Sequence, residues 1–174
     1  MADTSRGEPS RRPTGGGKRR AARLAAVQAL YQLELGGGEA NDVVGEFEVH
    51  RLGQVTDELD AGPVDRAWFG ELVRGVTANR AELDNLVAAV LTEDWTIERL
   101  DNILRAILRA GVFELSAHAG VPARVVVSEY VELADAFFTG KETGLVNGVL
   151  DQLARLLRPG EMGVTGDGRA IPAG

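Results

Sequence analysis

Residues 100–117 read LDNILRAILRAGVFELSA, and this stretch decides the fold. Leu100, Leu104, Ile107, Gly111 and Leu115 recur at three- and four-residue spacing, the pattern of a helix with one apolar face. Gly111 falls on that face, where a missing side chain lets a second helix approach closely. On the polar side, Asp101, Arg105 and Arg109 stand at i, i+4 intervals and read as a solvated row of ion pairs. Thr96 is placed to cap this helix, with Glu98 in its first turn.

The same periodicity extends in both directions. A first helix is expected over 18–35, stopped by Gly36-Gly37-Gly38, and a short one near 40–51. Gly53 to Gly62 reads as a loop. Pro63 suits a helix start, and Trp68, Phe69, Leu72, Val73 and Val76 form the stripe of a helix, or kinked pair, reaching about Leu91. Pro122 opens another helix, with Val126, Tyr130, Leu133 and Phe137 on its stripe and Gly140 at its end. A last helix is expected from about Thr143 to Leu157, stopped by Pro159-Gly160. Two helices are apolar on two sides: one carries Val127, Val131 and Phe138 as well, the other Val146, Leu150 and Leu157. Such breadth means burial between helices or a patch meeting a protein partner, and burial is the stronger reading. No alternating strand pattern and no internal repeat appears. The fold class is all-α, with six or seven helices and short connections.

The 174 residues, 44% hydrophobic and 26% charged, suffice for one sizeable core or two small ones packed together. There is no cysteine for a disulfide or thiolate metal site. No apolar run approaches the ~20 residues of a membrane span, and the N-terminus lacks the apolar core of a signal peptide. These features predict a cytoplasmic protein. Residues 1–17 and 159–174 are rich in Gly, Pro and polar residues and are expected to be disordered, flanking a helical domain over 18–158. Charge is unevenly placed. Residues 1–23 hold seven basic residues and two acids, whereas residues 24–174 hold twelve and twenty-four. A basic arm on an acidic body requires an anionic partner, and nucleic acid is the commonest.

Catalytic constellations are lacking. His50 and His118 have no carboxylate at ligand spacing. Glu129 and Glu132 lack the histidine a di-iron helix would carry and read as a solvated acidic face. Gly15-Gly16-Gly17-Lys18 has neither the spacing nor the preceding strand of a phosphate loop. No enzyme, metal or cofactor is expected. Nucleic-acid binding has more support. Arg19 and Arg23 share a helical face, flanked by Lys18 and Arg20 at the helix start. Positive charge there opposes the helix dipole, which suggests an outside anion such as phosphate. The plainer reading is a solubilising basic tail. Tyr31, on the stripe of Leu24 and Val27, reads either as core packing or as a platform for an unpaired base.

Five stretches, in order, resemble one family, the NusB transcription antitermination factors. They are Arg23-x3-Val27-Gln28-Ala29-Leu30-Tyr31; Phe69-x2-Leu72-Val73-x-Gly75-Val76; Arg105-Ala106-Ile107-Leu108-Arg109-x3-Phe113-Glu114-Leu115; Val121-Pro122 through Glu129-x2-Glu132-Leu133-Ala134-x2-Phe137; and Leu145-Val146-Asn147-Gly148-Val149-Leu150-Asp151. The resemblance implies an all-α fold of two small bundles. It implies a non-enzymatic factor that binds the single-stranded boxA element of ribosomal-RNA leader transcripts. The partner implied is NusE, the ribosomal small-subunit protein S ten, within an antitermination complex on RNA polymerase that also supports ribosomal-RNA maturation. Family-related domains fused to RNA cytosine methyltransferases need a catalytic half and a cysteine that this chain lacks.

Carried over by position, the RNA-binding residues implied are Lys18, Arg19, Arg20, Arg23 and Tyr31, with Leu145 where the family usually has phenylalanine. Lys141, in a loop often acidic in the family, is expected to add a phosphate contact that partly offsets the missing aromatic. Glu98, Asp101 and Arg105 are the candidate NusE-facing residues. Arg6, Arg11 and Arg12 form a non-specific tether. The alternative is a helical protein-interaction module held to RNA or ribosomes by its arm alone. The sequence leaves open whether the free chain is a monomer or a homodimer.

Overall fold

The computed structural model describes residues 15–54 and 63–163. Seven α-helices make up most of them: α1 Gly15–Gly36, α2 Ala40–His50, α3 Arg66–Ala78, α4 Arg80–Val90, α5 Asn102–Ala117, α6 Ala123–Phe137 and α7 Glu142–Leu157. A single 3-10 turn, Ile97–Arg99, precedes α5. Residues 52–54 are helical as well, so the loop expected from Gly53 opens as helix. Among the described residues there are no strands, and no helix is long and apolar enough to cross a membrane.

Helices α1–α3 form one small bundle and α4–α7 a second, with α5 packing against both and one core running through them. The expected two-bundle, all-α architecture is what forms. Helix α1 owes its close seating to composition. Ala21, Ala22, Ala25, Ala26 and Ala29 are all fully buried, and side chains ending at Cβ bring its backbone against α3 and α5. Glycine does the same elsewhere. A Cβ at Gly111 would lie 2.9 Å from Leu150, so the close approach expected there is real. A Cβ at Gly75 would fall inside the Phe113 ring, a fit the sequence did not reveal. Phe47 of α2 stacks on Phe69 of α3 at 5.7 Å between centroids.

Local chemistry sets the helix ends. Gly37 and Gly38, with φ of +68° and +104°, stop α1 in a conformation that favours glycine. Asp65 caps α3 by accepting from the Trp68 amide at 3.0 Å. Asn79 breaks the stretch into the kinked pair α3–α4, its side-chain amide donating to the Gly75 carbonyl at 2.8 Å. The start of α5 departs from expectation. Thr96 leads only into the 3-10 turn and makes no side-chain cap. The chain then extends at Leu100, which is buried, and Asp101 caps α5 by accepting from Ile103 N at 2.8 Å. An aspartate one residue after a core anchor outcompetes the earlier threonine.

The second apolar sides are buried or half-buried: Val127, Val146 and Leu150 lie in the core, with Val131, Phe138 and Leu157 packed against it. Phe137, expected on the primary stripe of its helix, is exposed instead. Residues 15–17 belong to α1 rather than to a disordered arm, and 159–163 form a turn that buries Met162 to 5% exposure. The rest of the expected arm, loop and tail lies outside the described residues. The turn is fastened by Arg158, whose guanidinium donates to the carbonyls of Glu114 (3.0 Å), Leu115 (3.0 Å), His118 (2.7 Å) and Val121. One side chain thus satisfies carbonyls at the end of α5 and in the turn that follows.

Candidate nucleic-acid interface

The basic start of α1 grades from interior to solvent within six residues. Arg23 faces inward, its side chain 4% exposed, and its Nε donates to Glu114 Oε1 at 2.8 Å. The same oxygen accepts from Trp68 Nε1 at 3.0 Å and from the Tyr130 hydroxyl at 3.1 Å. Donors from α1, α3 and α6 therefore converge on one carboxylate of α5 that is 0% exposed. Burial works against the Arg23 charge, but the hydrogen bond and charge of Glu114, helped by Tyr130 and Glu129, outweigh it and raise its pKa. Burial, then the Glu114 charge, pushes Tyr130 well above the ordinary tyrosine value. Arg23 is thus corrected from a phosphate contact to an internal anchor. It shares the Arg19 side of the helix in projection, but that side passes under α3 and α6.

Arg20 is half-exposed and already engaged. Its Nε and Nη2 donate to the two Glu129 oxygens at 3.1 Å each, and Nη2 lies 3.0 Å from Glu132. The hydrogen bond and charge of Glu129 raise its pKa despite partial burial. Glu129 and Glu132 are therefore not merely a solvated acidic face; they staple α6 to α1. Arg19 lays its guanidinium 4.1 Å above the Trp68 ring and reaches within 3.9 Å of Asp65, with 44% of its side chain exposed. The exposed Lys18 ammonium has no hydrogen bond or ion pair among the described residues.

Tyr31 lies roughly 20 Å further along α1 at the rise of a helix. It is half-buried and lines an open cavity of about 550 Å³ with Gln28, Gln32, Leu35, Arg51 and Ile103. Beside it, Glu34 gathers arginines from two helices: Arg80 at 3.0 Å, Arg105 at 3.2 Å and Arg109 at 3.3 Å. Arg109 also clasps both oxygens of Asp84, at 2.6 and 3.0 Å. Burial opposes its charge, yet Asp84 and Glu34 hold its pKa above the usual arginine value. The expected Asp101–Arg105–Arg109 row does not exist, because Arg109 is buried and Asp101 is a cap. Arg105 also turns inward, bonding the Ile97 carbonyl at 3.1 Å, the Asn102 side chain and Glu34. Of the expected partner-facing trio, only Glu98 and Asp101 are exposed.

At the other helix, Lys141 is the exposed N-cap residue of α7, and its side chain makes no cap bond. Its ammonium stands 5.2 Å from the centroid of the half-buried Trp95 ring. Leu145, one turn on, is half-buried and packed against the core. Sequence reasoning passed over Trp95. The available signal was one of only two tryptophans set in a polar run, Thr92-Glu93-Asp94-Trp95-Thr96.

This is a helical factor with a graded cationic helix start and a second cation–aromatic point at the head of its last helix. The class it defines is an all-α binding factor. A model of the NusB family matches residues 20–155. The transcription antitermination protein NusB of Nitrobacter hamburgensis is 53% identical over 144 residues, covering 83% of this chain and 90% of that protein. The Agrobacterium fabrum NusB is 48% identical over 160 residues, covering 91% and 97%. Among solved structures, T. maritima NusB aligns with a TM-score of 0.59 at 29% identity, covering 79% of this chain and 90% of its own. NusB crystallised with NusE and double-stranded RNA aligns with a TM-score of 0.60 at 26% identity, covering 80% and 97%. The chain belongs to the NusB family.

Proposed function

We propose that this chain is a non-enzymatic RNA-binding antitermination factor. It acts in the cytoplasm with NusE on the boxA element of ribosomal-RNA leader transcripts, within an RNA polymerase antitermination complex. The observation that carries this reading is family membership over most of the chain, joined to the crystallisation of a similar NusB with NusE and RNA. Lys18 and the exposed part of Arg19 supply phosphate contacts at the start of α1, with Arg20 shared between RNA and its two glutamates. Tyr31 offers an aromatic face further along. Phosphate contacts position the strand, while base contacts and NusE supply specificity.

Titration of labelled single-stranded boxA RNA, with and without NusE, tests the reading. The expected result is sequence-selective binding strengthened by NusE. Binding that is salt-sensitive but indifferent to sequence, and unchanged by NusE, would instead identify a module tethered to RNA by charge alone.

A further inference from the structure

The proposed RNA-binding reading leaves the head of α7 without an aromatic, because Leu145 can pack against a base but cannot stack as a flat ring does. The missing surface lies nearby in space. We propose that Trp95 and Lys141 form a nucleotide subsite, in which the indole stacks with an unpaired base of single-stranded RNA and the ammonium pairs with its phosphate. This inference rests on the RNA-binding reading.

Four observations support the assignment. Trp95 is half-buried, so the ring is held by the core yet reachable, unlike the buried Trp68. Lys141 lies over that ring at 5.2 Å and has no carboxylate partner among the described residues, so its charge is free to move onto a phosphate. Trp95 also lines an open cavity of about 350 Å³ with Asn85, Leu91, Thr96, Ile97 and Glu98. Its apolar walls suit a base, and the Asn85 amide and Thr96 hydroxyl suit a base edge. Of the two carboxylates that line it, Asp84 is already clasped by Arg109, and Glu98 would accept from an exocyclic amine and repel a phosphate. That electrostatics fixes the orientation: base toward the cavity, phosphate outward to Lys141. Finally, the Leu145 amide bonds the Lys141 carbonyl at 3.0 Å, which places the subsite one helical turn from the family's usual aromatic position.

The chain has two tryptophans, which makes the test direct. The full chain is labelled with 5-fluorotryptophan, its two fluorine resonances are assigned with Trp95→Phe, and boxA RNA is added with NusE present. The Trp95 resonance is expected to shift on RNA addition and not on NusE addition alone. Trp95→Ala is expected to weaken RNA binding about tenfold, and Trp95→Phe to retain most of the affinity. Lys141→Glu is expected to weaken binding and lower the salt slope by ~0.7 or more. If wild type binds boxA RNA while the Trp95 resonance stays still and Trp95→Phe and Trp95→Ala both bind normally, the subsite is refuted and the RNA-binding reading survives. If Lys141→Glu leaves affinity and salt slope unchanged, the phosphate half is refuted. Absence of any boxA binding by wild type overturns both.

Discussion

At the N-terminal end of α1, Arg19, Arg20 and Arg23 meet Asp65, Glu114, Glu129 and Glu132, while Lys18 stands outside these pairs. At its other end, Glu34 meets Arg80, Arg105 and Arg109. Both ends carry the sign of charge that opposes the helix dipole. Both are compensated by side chains from other helices, so tertiary pairing overrides a local cost. The difference lies in access to water. The Glu34 cluster is largely enclosed, with Arg109 only 8% exposed at its side chain, and its charges hold helices together. The basic end runs outward from the buried Arg23 to the unpaired Lys18, so it both anchors α1 and presents charge to a ligand. Net charge alone would have assigned all four cations the same task.

The largest expected effect tests the anchoring role. Glu114→Gln removes the charge opposite buried Arg23 and should lower unfolding free energy by about 3–5 kcal/mol, read from urea denaturation. A loss below about 1 kcal/mol would show that the buried carboxylate does not fasten the helices. At the other end, Arg109→Ala should cost about 2 kcal/mol by the same measurement, because Asp84 loses both its bonds while Glu34 keeps two arginines. Equal losses from the two variants would erase the distinction drawn between one carboxylate serving three donors and a distributed cluster.

Tyr130→Phe should cost about 1 kcal/mol at neutral pH. It should also change the alkaline limb. The folded-state pKa lies well above the ordinary 10.0, so above that pH the unfolded chain ionises first and stability falls as pH rises. The urea midpoint of the phenylalanine variant should fall less steeply there. A parallel decline would remove Tyr130 from the cause. Smaller still, Arg20→Ala should cost under about 1 kcal/mol, since its pairs with Glu129 and Glu132 are half-exposed. Lys18→Ala closes the series. Stability should stay within about 0.5 kcal/mol of wild type, while the salt slope of boxA binding falls by ~0.7. An unchanged slope would strip the outer end of its ligand role.

Helix existence was legible because apolar spacing follows from the core each helix must bury. Leu104, Ile107 and Leu115 declare α5 without help from the rest of the chain. Gly111 was legible for the same reason, since a glycine on a buried stripe marks where a neighbouring helix comes close. Charged residues were harder to read. Arg23 and Arg109 look like surface residues in a helical projection. Their burial depends on a carboxylate 91 residues away in one case and 25 in the other, and no periodicity encodes such pairing. Trp95 was missed because it sits outside every helix, where no stripe gives an aromatic a direction. Lys141 was singled out, but the ring beneath it comes from a connection two helices earlier.

The Arg158 clasp makes the segment beyond the last helix part of the folded unit. A chain cut after Leu157 would keep every helix of the second bundle yet leave carbonyls at the α5–α6 turn without their shared donor. A chain cut after residue 163 would keep both the donor and Met162. The end of α5, ordinarily a place where a helix frays, should then be among the slowest amides to exchange with solvent. A boundary drawn by helix content alone falls a few residues short of the boundary set by cooperativity.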